Sequence, residues 1–298
     1  MADPVRDIAD AVLYEGYILW PYRRSALKNS QRWTFGGVYP PAWQAVHPDD
    51  RSVTQTQVLV EGDPSVDVTV RFLHVVRRQL MADGEPVDEL VVDGERLVSW
   101  EEATERELGA GPFEIAGGKS EAPGIVRSWR ELRGSVDVFA EDLGAGVHRV
   151  TVRVSNTTAC EPATREEALA HTLCSCHAVL RAPAGAFVSP TEAPDCVNEG
   201  LWPVLVGEPP NRSTVLSSPI ILEDYPRVAP ESPGDLFDGG EIDQMLVLNI
   251  LTLTDEEKEE MRASDPKARE ILERTEALTP EQLMRLNGAI REMRYAGR

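Results

Sequence analysis

His171, Cys174, Cys176 and His177 stand within seven residues and form the cluster whose side chains best suit a transition metal. Thiolate sulfur and imidazole nitrogen are ligands for zinc, nickel or iron. The run reads as a strand, where successive side chains point to opposite faces. Cys174 and Cys176 are then expected on one face and His171 and His177 on the other, so four ligands cannot converge from this run. At best two would bind, with Cys160 or Cys196 as helpers. Burial of small cysteines on a strand is the preferred reading. A metal-handling protein or metalloenzyme using this Cys/His cluster is the alternative.

Other chemistry is thinner. Gly117-Gly118-Lys119-Ser120 looks like part of a phosphate loop, but Phe113 stands where the pattern requires its first glycine. The following Glu-Ala-Pro-Gly cannot open the helix that would hold phosphate, so a surface turn is expected. No GxSxG elbow or HExxH pair occurs. His74, on an apolar strand face, reads as a hydrogen-bonded core residue. Asp235, Asp238, Glu241 and Asp243 lack EF-hand spacing, and Asp238 reads as a helix cap.

Residues 12–43 gather Tyr14, Tyr17, Trp20, Tyr22, Trp33, Phe35, Tyr39 and Trp43. Between Trp20 and Trp43 lie Arg23, Arg24, Lys28 and Arg32 and no acidic residue, although the chain carries a net charge of -20. Tyr, Trp and Arg dominate interface anchors. One reading of this basic, aromatic island is a protein-binding surface made by Trp20, Tyr22, Arg23, Arg24, Lys28, Arg32 and Trp33. The other is core, with the arginines pairing acidic residues of the body.

The run LYEGYILWPYRRSALKNSQRWTFGGVYP within this island resembles the opening of an uncharacterised protein family encoded beside actinobacterial-type uptake NiFe hydrogenases. Ser217 to Pro266, from SSPIILEDYPRV to EEMRASDP, resembles the matching C-terminal part of that family. Together the two stretches cover about a quarter of the chain. The resemblance implies a role in hydrogenase biogenesis or function, with NiFe hydrogenase subunits or maturation proteins as partners. It brings no catalytic residues and no cofactor. The function expected is a non-catalytic accessory or assembly factor acting through protein–protein binding.

Composition sets bounds on this. With 42% hydrophobic residues the chain can build a core. Its acidity argues against general nucleic-acid binding, which needs a positive footprint, and favours basic partners. Residues 1–30 do not read as a signal peptide, and no apolar run is long enough for a membrane-spanning helix. A soluble, cytoplasmic protein is expected, with its four cysteines as thiols.

The elements that must position these residues follow from period and punctuation. Residues up to about 222 read mainly as strands. Ser52–Val60 shows weak alternation, with Val53, Gln55, Gln57 and Leu59 sharing a face. Val66–Val76 puts Val66, Val68, Val70, Phe72 and His74 on one face of a half-buried strand. Leu90–Trp100 carries an Asp93-Gly94 hairpin turn. Ile125–Phe139, Gly146–Val154, His171–Leu180, Phe187–Ser189 and Val215–Leu222 continue the pattern. From about Pro230 the period becomes helical, with one stripe at Ile242, Met245, Leu246, Asn249 and Ile250. Capping boxes stand at Thr254–Glu257 and Thr279–Gln282, and a last stripe at Leu283, Leu286, Ile290 and Met293. The fold class expected is α+β: an antiparallel β-rich sandwich or barrel-like body (1–229) followed by a small C-terminal helical segment (230–298).

Overall fold

The computed structural model describes residues 4–33, 35–193, 195–227, 236, 243–279 and 281–282. Two antiparallel sheets and a layer of helices make an α+β architecture. The first sheet runs β13 (Gly185–Phe187), β1 (Val53–Gly62), β11 (Val147–Asn156), β10 (Leu132–Gly144) and β7 (Gly111–Ile115) in spatial order. The second runs β14 (Trp202–Leu205), β15 (Thr214–Ser218), β12 (Cys174–Arg181), β2 (Asp67–Ala82), β9 (Ile125–Trp129) and β8 (Gly118–Ala122). β3 (Glu85–Val87) and β6 (Trp100–Leu108) also pair with β2.

Between the sheets lies an apolar core. The first sheet contributes Val58, Val60, Val136, Val150, Val152 and Val154; the second contributes Val68, Val70, Phe72, Ala178, Leu180 and Val215. The register Val58↔Val150 and Val136↔Val154 stacks these β-branched side chains opposite one another, the pairing that stabilises a sheet face. The buried residues of β1 are Thr54, Thr56, Val58 and Val60. Val53, Gln55, Gln57 and Leu59 form the outer row.

The second sheet is covered on both sides, which the sequence did not indicate. Its outer face packs against α1 (Pro4–Tyr14), the aromatic segment 17–43 and α3 (Arg165–Leu169). It also meets α4 (Asp243–Leu251), α5 (Asp255–Ser264) and α6 (Pro266–Glu276). Phe72 to Val76 are therefore buried without interruption, where a half-buried strand was expected. Leu73 and Val75 join Leu13, Tyr17, Met261, Ile271 and Leu272 in the outer core. A strand buried on both faces loses its alternation.

Three local features differ from the expectation. The run Ile125–Phe139 is two strands, β9 and β10, parted at Arg130-Glu131, where the chain passes from the second sheet to the first. Gly117–Ser120, expected as a surface turn, instead leads into and forms part of an exposed strand, Gly118–Ala122, hydrogen-bonded to β9. α1 and α3 lie in a region read as strand; α3 is short and starts from Thr164, whose side chain accepts from Glu167 N–H. The hairpin of β4 (Glu89–Val92) and β5 (Glu95–Val98) turns at Asp93-Gly94 as expected, with φ of 51° and 84°.

The C-terminal helices obey their signals. Thr254 and Glu257 form the capping box at the start of α5. Thr279 and Gln282 exchange the reciprocal bonds of the second box. On α4 the buried stripe is Leu246, Val247 and Ile250, while Met245 is exposed. The helix stripe 283–293, the acidic residues 235, 238 and 241 and the boundary at 229/230 lie outside the described residues.

Candidate functional site

The basic, aromatic island is held largely inside the protein. Its ligand is the chain's own C-terminal helical unit. Tyr17 donates its hydroxyl to Asp265 Oδ2 at 2.6 Å, and Trp100 Nε1–H donates to the same oxygen at 2.9 Å. Asp265 Oδ1 meanwhile accepts from Lys267 N–H and caps α6. Tyr22 donates to the Leu236 carbonyl at 2.6 Å. Arg24 N–H reaches Ser264 Oγ, and Ser25 N–H reaches Glu260 Oε1. Arg23 pairs with Glu257 at 3.2 Å and Glu260 at 3.7 Å.

Arg78, on β2, completes this junction. Its guanidinium donates to the carbonyls of Val98, Ala263 and Ser264 and to Glu102 Oε1 at 2.6 Å. The last turn of α5 has free carbonyls that attract a cation, and Arg78 supplies it from the sheet.

Of the residues expected to form a docking surface, Tyr22, Arg32 and Trp33 are buried at 0%, 4% and 2% exposure. This corrects the expectation for those three: their side chains cannot meet a partner in the folded protein. Arg32 is a core cation, 3.8 Å from the Trp100 ring centre, donating to the carbonyls of Glu101 and Tyr17. Burial lowers its pKa, opposed by Tyr17 and Glu101. Trp20 is half-buried edge-on to Tyr22. Arg24 pairs with Asp88 at 3.3 Å at the surface, and Lys28 is exposed.

The cysteine and histidine run is split by a β-bulge. Cys174 pairs with Leu73 and His177 with Arg71, so two steps along β2 oppose three along β12. Ser175 takes a φ of 51° at the bulge. The extra residue reverses the alternation. Cys174 enters the outer core and Cys176 the inter-sheet core. The expected common face of the two cysteines does not exist, and His177 shares a side with Cys174 instead.

His171 sits apart, in the turn after α3, with Nδ1 3.2 Å from the Glu131 carbonyl. Among the described residues no group of three His, Cys, Asp or Glu side chains is placed to hold a metal. Burial pushes the Cys176 thiol up to about 12 and the Cys174 thiol higher still, opposite to the shift a metal-binding thiolate needs.

His74 and His177 are both fully buried. Burial, with Arg106 adding, holds the pKa of His74 down at about 4. Its approach to the Arg130 backbone falls short of good hydrogen-bond geometry and offsets burial only in part. Burial holds His177 at about 4 against a contact with the Ser175 carbonyl. The hydrogen-bonded core role expected for His74 is therefore only half met.

Two open clefts meet along the outer side of β2. One, of about 810 Å³, lies between the β8–β9 ribbon and α3, and the other is about 400 Å³. Arg77, Glu101 and Glu166 line both. Burial raises the pKa of Glu101 against the pull of Arg32, and the neighbouring Glu166 adds to the rise. Cys160 lines the larger cleft near His171 and Glu131. Burial and Glu131 raise its thiol pKa, so the pair lacks the activated thiolate of a nucleophilic site.

A third cavity, about 220 Å³, is lined by Phe35, Tyr39 and Trp202 with Pro219, Asp49, Asp50 and Arg51 among its walls. Trp202 and the Asp265–Arg78 junction were missed from the sequence. Asp265-Pro266 did carry a signal, since an aspartate followed by proline is a helix start. No protein-family model matches this chain, and no curated protein matches it either.

Proposed function

We propose that the protein is a non-catalytic accessory or assembly factor for a NiFe hydrogenase, acting through protein–protein binding. One observation carries the reading. The two stretches that resemble the hydrogenase-associated family, distant in sequence, pack together as one unit. Tyr17, Tyr22, Arg23 and Arg24 from the first bond to Leu236, Glu257, Ser264 and Asp265 from the second. A resemblance scattered over unrelated surfaces would lose this coherence; here described parts of the two stretches meet against the outer face of the second sheet. The bulge sends Cys174 and Cys176 to opposite sides of β12, which leaves the metal-handling alternative without a converging pair of thiols.

The test is affinity purification of the tagged protein from its native host, with mass spectrometry of the eluate. Hydrogenase subunits or maturation proteins, recovered in proportion to the bait, are the expected result. Recovery of the bait without them would count against the hydrogenase reading.

A further inference from the structure

We infer that the cavity between Phe35 and Trp202 is a docking groove for an extended, proline-containing, basic segment of a partner protein. The inference rests on the protein-binding reading above and names the surface that serves it.

The two rings are exposed without being loose. Phe35 is 41% exposed and Trp202 38% exposed. The Phe35 carbonyl accepts from Ser175 N–H, and the Gly36 carbonyl accepts from Cys176 N–H at 2.9 Å. The bridge Val38↔Leu173 continues this attachment to the chain entering β12. Trp202 is fixed on β14 opposite Ser218. The bulge at Ser175, which spoils a metal site, is thus what anchors Phe35.

The groove between them is closely built. A Cβ on Gly36 would stand 2.6 Å from Pro219 Cγ, and one on Gly37 would stand 2.5 Å from the Tyr39 ring. The glycine pair lets the proline and tyrosine rings close against the backbone. Both family-like stretches contribute, the first through Phe35 and Tyr39 and the second through Pro219.

Two of the large apolar side chains left exposed among the described residues, Phe35 and Trp202, line this one cavity. Exposed aromatic surface gathered at a cavity marks an interaction site. A preformed, aromatic-lined groove fits a polyproline II segment, whose rings stack on aromatic faces and whose backbone is already ordered.

Charge selects the rest of the ligand. Asp49 is exposed at the rim, and Asp50 is oriented by Trp43 Nε1–H at 2.8 Å. Arg51 is the one cation among the lining residues. On a chain of net charge -20 these carboxylates favour lysine or arginine beside the prolines.

The test uses full-length protein and a fluorescent nonapeptide of repeating Pro-Pro-Arg, followed by anisotropy. Saturable binding is expected, weaker by about tenfold or more in Phe35→Ala/Trp202→Ala and in Asp49→Lys. Phe139→Ala, an exposed aromatic on β10, and a Pro-Pro-Glu peptide are the controls. Unchanged melting of the variants by circular dichroism separates lost docking from lost folding. Equal binding by all variants, or none by the parent protein, overturns the inference. Self-association abolished by Phe35→Ala/Trp202→Ala in sedimentation overturns it in favour of a second copy. Repeating the native-host purification with this double variant separates the two readings. If hydrogenase partners persist, the groove is wrong while the function stands; if the parent recovers none, the function itself fails.

Discussion

Tyr17 and Asp265, 248 residues apart, share a buried hydrogen bond of 2.6 Å that joins the start of the described chain to its C-terminal helices. The same carboxylate receives Trp100 Nε1–H and caps α6. One side chain therefore ties the aromatic segment, strand β6 and the helical unit together.

Replacing Asp265 by alanine removes the acceptor from two buried donors, each costing about 1–3 kcal/mol when orphaned, and deletes an N-cap worth about 1 kcal/mol. A loss of about 4 kcal/mol in urea unfolding is expected. Asp265→Asn keeps a capping oxygen and should lose about half as much. A change below about 0.5 kcal/mol for the alanine variant would show that the junction does not hold the helices.

The island separates into interior and surface cations. Arg32 is buried over Trp100 beside Glu101, so Arg32→Leu leaves a carboxylate without its cation and should cost about 3 kcal/mol. Arg24 pairs with Asp88 in solvent, and Arg24→Glu should stay within about 1 kcal/mol. Denaturation midpoints of the two single variants decide the matter, and equal effects would contradict the burial described.

How much of this was legible depends on what kind of signal each element carries. The strands flanking Asp93-Gly94 and the Thr254 box announce themselves through local chemistry, because a tight turn needs positive φ and a helix start needs a side-chain oxygen. The two-sided burial of β2 does not. Its outer cover comes from residues 4–43 and 243–276, and only their tertiary packing turns an alternating strand into a continuous buried one. The Ser175 bulge is equally silent: one serine with φ of 51° reverses every side chain after it without marking the sequence. The island's composition was visible, but Tyr, Trp and Arg suit an internal junction as well as an external one. What distinguishes them is the acidic partner surface, Glu257, Glu260 and Asp265: the carboxylates of 255–260 read as a solvated first helical turn, and nothing local tells that Glu257 and Glu260 face Arg23.

Thiol chemistry checks the bulge. Cys160 and Cys196 are partly exposed, while Cys174 and Cys176 are buried. Ellman's reagent should label the first two slowly in native protein, since burial raises both thiol pKa values. The other two should react only in denaturant. Rapid native labelling of Cys174 or Cys176, blocked by added zinc or nickel, would restore the metal reading.

The buried histidines set the acid limit of the fold. The ordinary imidazole pKa of 6.5 falls to about 4 for both His74 and His177 in the folded chain. The unfolded chain therefore binds more protons than the native one between pH 6.5 and 4, so stability rises with pH across that window. Read downward, the contribution is intact above pH 6.5 and is lost as pH falls toward 4. Each site accounts for about 3 kcal/mol at the low end. Urea midpoints should drop steeply from pH 7 to pH 4.5, and His177→Gln should flatten that slope by removing one of the two proton-binding sites. An unchanged slope in His177→Gln would mean that His177 is protonated as easily inside the fold as outside it.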